Sequence, residues 1–421
     1  MNLMSKLAAV VFLLAFGWAL GRTIIPAIGQ STNGFIAYYT ASHLLTEGRL
    51  GPQSYEIDWF RRESEALTDP PVAEVMIYNL PTFSLITLPL VGFSPQTARD
   101  IWIGLNLLFL LLSIYLIAVA LDQLPNQTLF ERPSKQTFGL LLAAFTLLFP
   151  PTAANFRVGQ AYIFLLLLFS LTLWGLITEQ AWLIGLSLGL AFVLKATGWP
   201  LWLLLLLERR WKALGWGLGT IIAVALLSLP WIGLSIWQAF PQATWEATHS
   251  PLVTVTAYQT TFSFLNHLFR FDPVINPQPL VHQPGLIDPV NLLITFGTIL
   301  LTLWYSRRGP THLVFAALMS LTVVVSPVAE EHNFVLLLLP IAIVSYHIIT
   351  RPFNLIDWIW LVLACFLLAV PFYYKTPALS LGWSALLAYP RLYGGWLLWA
   401  LVVRHILPAE AAGKPQVVSP L

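Results

Sequence analysis

Ionisable side chains are scarce in this chain. Asp, Glu, Lys and Arg make up 10% of its 421 residues and apolar side chains 57%, with a mean hydropathy of +0.76. A soluble globular domain carries about 25% charged and about 45–50% apolar residues. So much apolar surface cannot be kept from water by one folded body, and the chain reads as an integral membrane protein. Alternating period-two segments, which a membrane barrel needs, are also missing. Apolar runs of about 20 residues recur instead, the length that crosses a hydrocarbon core of about 30 Å as a helix. The fold class is therefore all-α, a polytopic helical membrane protein.

Other shortages narrow the function. A single cysteine, Cys365, excludes an intramolecular disulfide. Its apolar setting marks it as a buried, inert thiol. The net charge is only +2 and no basic cluster stands out, so no nucleic acid partner is expected. No HExxH, P-loop, GxSxG or GxGxxG pattern occurs in a credible context, which argues against nucleotide hydrolysis and dinucleotide chemistry. The acidic residues are too scattered to propose an octahedral metal site. Neither a cofactor nor a metal is expected. No internal repeat is apparent, unlike the common transporter architectures.

Where the few charges lie is informative. Residues 28–75 hold seven of the 19 acidic side chains: Glu47, Glu56, Asp58, Glu63, Glu65, Asp69 and Glu74. A chain so poor in ionisable groups is expected to do its chemistry around such a segment. Orientation follows from Lys and Arg in short turns, which stay on the cytoplasmic side. Lys6 places the N-terminus inside, and run 7–20 is taken as an uncleaved first span rather than a signal peptide, because no small-x-small site follows it. Run 78–93 is short and interrupted by Pro81 and Pro89, so it reads as re-entrant or interfacial.

Eleven more runs follow, at 98–121, 138–153, 161–177, 182–194, 199–207, 213–229, 289–305, 312–325, 334–347, 358–370 and 394–403. About twelve spans result, with both ends cytoplasmic. Residues 1–407 form one membrane domain, with long outer loops at about 28–97 and 230–288. A disordered cytoplasmic tail is expected at 408–421. Inner turns carry Lys or Arg except the one at Thr178–Glu179.

Four ionisable sets fall at the outer ends: the 28–75 segment; Arg157, flanked by Asn155 and Gln160; Lys195; and Glu330–Glu331–His332. Charges beside a bilayer are costly and by default suggest function. Taken singly, Arg157 and Lys195 also fit side chains that snorkel to the interface, and His332 fits a structural hydrogen-bonding role. Together the set suits a lipid-linked phosphate, with Arg forking onto oxygens and Lys supplying a point charge. A nearby carboxylate would take the proton of an acceptor hydroxyl.

The order of several segments resembles the GT-C superfamily of membrane glycosyltransferases, and most closely glycosyltransferase family 87, the polyprenyl-phosphate-mannose-dependent mannosyltransferases. The segments are FIAYYTASHLLTEGRLGPQSY, VMIYNLPTFSLITLPL, RVGQAYIFLLLL, GLSLGLAFVLKATGWPLWLLLLLERRW and SPVAEEHNFVLLLLP, together spanning about residues 35–340. The resemblance implies transfer of a sugar, with inversion, from a polyprenyl-phosphate donor to a glycan or glycolipid hydroxyl at the outer face of a plasma membrane. It implies substrate contacts at Tyr38, Tyr39, Tyr78, Arg157, Gln160, Lys195 and His332. It also implies a catalytic aspartate just before Phe35, where this chain has Gly34 preceded by Asn33. Glycine has no side chain and an amide is not usefully basic. Three readings stay open: another carboxylate, with Glu56, Asp58, Glu330 and Glu331 as candidates, has taken the role; the chain binds lipid-linked sugar without transferring it; or the register is shifted. A transporter is the remaining class that twelve spans allow.

Overall fold

Hydrocarbon offers no partner to a backbone amide, so an apolar run must close its own hydrogen bonds. Every run expected to cross is helical in the computed structural model, which describes residues 3–124, 133–307, 309–370, 376–379 and 381–406. Helix α1 (Leu3–Ala19) continues through a π turn into α2 (Ile25–Ala27). The acidic segment folds as α3 (Phe35–Thr46) and α4 (Ile57–Ala66). Next come α5 (Pro95–Asp122), α6 (Lys135–Leu148), α7 (Pro150–Val158) and α8 (Tyr162–Ile177). They are followed by α9 (Ala181–Lys195), α10 (Trp199–Leu207), α11 (Trp211–Ile232), α12 (Leu234–His249) and α13 (Thr261–Phe269). The last five are α14 (Ile287–Ser306), α15 (Thr311–Val324), α16 (Leu338–Ile349), α17 (Leu355–Ala369) and α18 (Pro390–Ile406). Among the described residues the only β pairing is an isolated bridge between Asp272 and Asn276.

Five stretches are long and apolar enough to cross a membrane: Leu3–Ala27, Pro95–Asp122, Trp211–Ile232, Pro284–Ser306 and Glu331–Ile349. The bent pair α6–α7 makes a sixth if it is taken as one span. The other expected spans are helices of 9 to 17 residues. Length alone therefore does not reach twelve. Protein surrounds several of the short ones: every residue of α15 from Leu313 to Val324 is buried. A helix end covered by protein need not reach the lipid surface.

Small residues fix the helix that will matter most. Gly185 and Gly189, one turn apart on α9, face α11, and a Cβ on Gly189 would lie 2.7 Å from the Gly217 carbonyl oxygen. This is the close approach that small-xxx-small spacing permits in membranes. On its other side α9 is pinned to α8 by the Thr172–Ser187 hydroxyl pair at 2.8 Å. The opposite end of α9 meets the turn at Thr178–Glu179. Arg210 from the neighbouring turn binds Glu179 at 2.6 Å and Glu208 at 2.6 Å, and Glu208 accepts from Thr311. The turn that lacks its own basic residue thus borrows one.

Two expectations need correction. The polar segment 155–160, expected as a short outer link after run 138–153, is largely helical: Pro150 and Pro151 break the helix after Leu148, the chain bends by 59°, and Asn155 and Arg157 ride on α7. Gly159, at φ +71°, ends that helix. The segment 230–288 is largely helical, because α11 runs through Pro230 and only Gly233, at φ +79°, separates it from α12. Run 78–93, expected as re-entrant or interfacial, forms two short 3-10 turns, Pro81–Leu85 and Leu88–Leu90. Its polar backbone is held inside protein, with Phe83, Thr82, Ser84 and Thr87 all fully buried. The whole of the expected tail, 408–421, and Arg132 and Arg308 of the basic turns lie outside the described residues.

Candidate functional site

Lys195 is the last residue of α9, and Ala196 turns the chain through a left-handed conformation (φ +48°) before Gly198 opens α10. A cation at a helix C-terminus is favoured by the macrodipole. Its Nζ donates to Asn79 Oδ1 at 2.7 Å. It also stands 5.1 Å from the centre of the Tyr38 ring and 5.4 Å from that of Tyr162. Two ring faces and one amide leave part of the ammonium's hydrogen-bonding capacity unused. The turn after Lys195 faces Thr322, Ser326, Ala329 and Asn333 across a small hollow lined partly by Tyr162.

The side chains around Lys195 are held from behind. Tyr38, 1% exposed, donates to Gln160 Oε1 at 2.7 Å and packs on Phe83. Asn79 is steadied by Tyr55, whose hydroxyl donates to its carbonyl at 2.9 Å. Thr82 donates to the Val193 carbonyl, which ties the 3-10 segment to the helix bearing Lys195. The Tyr162 hydroxyl accepts from Asn333 at 2.8 Å, and its ring lies 5.2 Å from that of His332. Asn155 of α7 donates to the His332 carbonyl at 2.7 Å. A continuous chain of contacts therefore joins α7, the turn Glu331–Leu337, Tyr162 and Lys195.

Behind that chain, buried Arg99 of α5 donates to the Phe156 carbonyl and, at 3.1 Å, to Thr32 Oγ1. Trp102 donates to the Gly159 carbonyl at 3.0 Å. These bonds draw the start of α3 against the end of α7. The contact is so close that Gly34 has no room for a side chain: a Cβ there would lie 2.5 Å from the Val158 carbonyl oxygen. Gly34 also sits at φ +86°, ψ −70°, with Phe35 N–H turned back to Asn33 O, the strained form of γ-turn. Gly34→Ala is expected to cost about 2–4 kcal/mol from backbone strain and overlap together. Gly34→Asp should be no better. Denaturant unfolding in detergent measures both, and wild-type stability of the Asp variant would refute the steric argument.

The carboxylates separate clearly. Glu74 accepts from Gly34 N–H at 2.7 Å through one oxygen and from Val75 N–H at 3.1 Å through the other, while its own N–H donates to Ser64. Its charge acts on Tyr38, Lys195 and Tyr258. Glu330 acts on Tyr78, Tyr162 and Tyr258. Tyr258 is thus common to both. Glu331 is held by buried Arg391 at 2.7 Å and faces Arg157 at 3.8 Å. Glu56 stands at the exposed start of α4 without capping it, and Asp58, with its side chain 86% exposed, is beside Arg61. Neither belongs to the described contacts around Lys195.

Of the other expected contact residues, Tyr78 adopts φ +71° and donates to the Ala247 carbonyl at 3.1 Å, beneath the Tyr258 ring edge. Burial raises its hydroxyl's pKa, and the charge of Glu330 adds to the effect. Tyr39 is a correction: one residue further round α3 than Tyr38, it points away and donates to Phe93 O at 2.7 Å. Arg157 is a rim residue, 62% exposed, not a neighbour of Lys195. Sequence reasoning missed Glu74, Asn79, Tyr162, Tyr258 and Asn333 as site residues. Glu74 was visible only as one of seven acids in the outer segment. Among the described residues no three His, Cys, Asp or Glu side chains group as a metal site.

An apolar groove is lined by Leu45, Leu85, Leu88, Val224, Leu227 and Trp231, and Leu85 and Leu88 belong to the segment that also supplies Asn79 to Lys195. A cation walled by aromatic rings, with an apolar groove lined by the same segment that supplies its Asn79 partner, is an arrangement that handles an amphiphile with a charged head. Comparison with known proteins agrees. The chain is 24% identical over 346 residues, 78% of each protein, to the polyprenol-phosphate-mannose-dependent alpha-(1-2)-phosphatidylinositol mannoside mannosyltransferase of Mycobacterium tuberculosis (strain ATCC 25618 / H37Rv). Residues 78–327 match glycosyltransferase family 87, a stretch that begins at Tyr78, takes in Asn79, Tyr162, Lys195 and Tyr258, and ends just short of Glu330. That match covers more than half of the chain and most of the hollow's lining, and the protein belongs to glycosyltransferase family 87.

Proposed function

We propose that this membrane glycosyltransferase moves a hexose from a polyprenyl-phosphate carrier to a hydroxyl of a glycan or glycolipid, at the outer face of a plasma membrane with both chain ends inside. The observation that carries the reading is one segment with two faces. Asn79, at its start, binds Lys195; Leu85 and Leu88, a few residues on, line the apolar groove. A ligand whose phosphate meets Lys195 would lay its isoprenoid tail along that groove, where apolar burial contributes about 0.8 kcal/mol per CH₂. A nucleotide sugar has no such tail. Arg157 and His332 sit further along the polar rim, suited to the acceptor side. The orientation is supported by the Lys/Arg bias of the turns at the other end of α9, about 22 Å from Lys195 at 1.5 Å per residue. Residues 1–407 are read as one domain, since a single apolar core includes residues from α1 to α18.

The purified protein in lipid vesicles should transfer labelled hexose from a polyprenyl-phosphate hexose to a glycolipid acceptor and release polyprenyl phosphate. Nucleotide sugars should give no product. Transfer from a nucleotide sugar in carrier-free vesicles would overturn the proposal.

A further inference from the structure

The reaction needs a carboxylate that faces the donor cation without being neutralised by another one. Of the four carboxylates that sequence reasoning singled out, Glu56 and Asp58 stand at the exposed start of α4 and Glu331 is held between two arginines. Glu330, the fourth, sits at Asn333, the partner of Tyr162; Glu74 instead lies against Gly34, next to Phe35. It is half-buried, and no Lys, Arg or His of the described residues makes an ion pair with it. Each of its oxygens accepts one backbone N–H, from Gly34 and from Val75, which fixes the carboxylate plane and leaves each oxygen a second lone pair. The Gly34 it grips lies against Gln160, the partner of Tyr38, whose ring stands 5.1 Å from the Lys195 ammonium, so Glu74 is joined to Lys195 through a short chain of contacts. The γ-turn that excludes a side chain at Gly34 also aims the Gly34 N–H at Glu74, so a carboxylate from 40 residues later occupies the ground next to Phe35.

We infer that Glu74 is the general base of the transfer. The inference rests on the lipid-phosphate donor reading above. The acceptor O–H proton passes to a Glu74 carboxylate oxygen as the hydroxyl oxygen's electron pair bonds to the anomeric carbon. The bond from that carbon to the phosphate oxygen breaks, its pair stays on the phosphate, and polyprenyl phosphate leaves against Lys195. Two backbone donors hold the base in place before the acceptor arrives, so little reorganisation is needed.

The test compares Glu74→Gln, Glu74→Ala and Glu330→Gln with wild type in the vesicle assay, with polyprenyl-phosphate hexose as donor. Glu74→Gln keeps an oxygen for the Gly34 N–H and should fold and bind donor normally. It should turn over at least a hundredfold slower, since general base catalysis contributes about 10²–10⁴. Added formate should partly restore Glu74→Ala and leave Glu74→Gln unchanged, an outcome that a purely structural role would not give. If wild type transfers and Glu74→Gln stays within about threefold of it while Glu330→Gln fails, Glu74 is not the base although the donor reading stands. If wild type transfers from no polyprenyl-phosphate sugar, both fall.

Discussion

Exchanging Lys195 for methionine is expected to lower transfer by about a hundred- to a thousandfold, the usual cost of removing one preorganised group that meets developing charge. Methionine matches the length of the stem and keeps the packing against Tyr38 and Tyr162, so the variant removes the charge and little else. The leaving phosphate gains negative charge as its bond to the sugar breaks, and a cation walled by two rings and one amide meets that charge without water competing. Lys195→Arg should recover little. The space between the rings, 5.1 and 5.4 Å from Nζ, suits a compact ammonium, and a planar guanidinium needs a wider slot. Asn79→Ala should cost less, about tenfold, because it frees the ammonium without removing it. Initial rates at saturating acceptor, with donor binding measured separately, decide the matter. A Lys195→Met enzyme within about threefold of wild type would remove Lys195 from the donor site.

The fold was legible wherever composition dictates it. Apolar runs in lipid have no alternative to helix, and each run expected to cross is helical. Lys195, His332 and Asn155 were legible as well, because a polar group at the end of an apolar helix is conspicuous when charge is so scarce. What escaped was set by tertiary contact. Glu74 becomes a neighbour of Gly34 only when the segment after α4 folds back onto α3, and no local pattern encodes that return. Glu56 and Asp58 adjoin Tyr55, yet Tyr55 points inward to Asn79 while the two acids face solvent. Tyr38 and Tyr39 look equivalent in sequence, but helical periodicity turns adjacent residues about 100° apart, and only one can meet Lys195. The double proline that opens α7 lies inside the run read as 138–153. Its effect, carrying Asn155 onto a helix that docks against His332, was not legible.

The same separation of carboxylates yields a prediction about stability. Arg391, at the start of α18, has a side chain only 2% exposed and donates to Glu331 at 2.7 Å; Glu331 is 22% exposed and also faces Arg157. Removing one partner of such a pair leaves a charge in a place that cannot solvate it, at a cost of about 3–5 kcal/mol when burial is complete. Residual exposure of Glu331 brings the expectation to about 3 kcal/mol for Glu331→Ala. Replacing both, as Glu331→Gln with Arg391→Met, should return most of that stability, since neither charge is then stranded. The consequence for activity is opposite in kind to that at Glu74. A carboxylate whose work is to anchor α18 to the turn bearing His332 can be dispensed with once its arginine is gone, whereas a proton acceptor cannot. The double variant should therefore be both stable and able to transfer sugar at a rate within about tenfold of wild type, a loss no larger than that of one ordinary hydrogen bond. Denaturant titration in detergent beside the vesicle assay reads both quantities. A double variant that is fully stable yet inactive would move the base from Glu74 to Glu331 and assign Arg391 to tuning it.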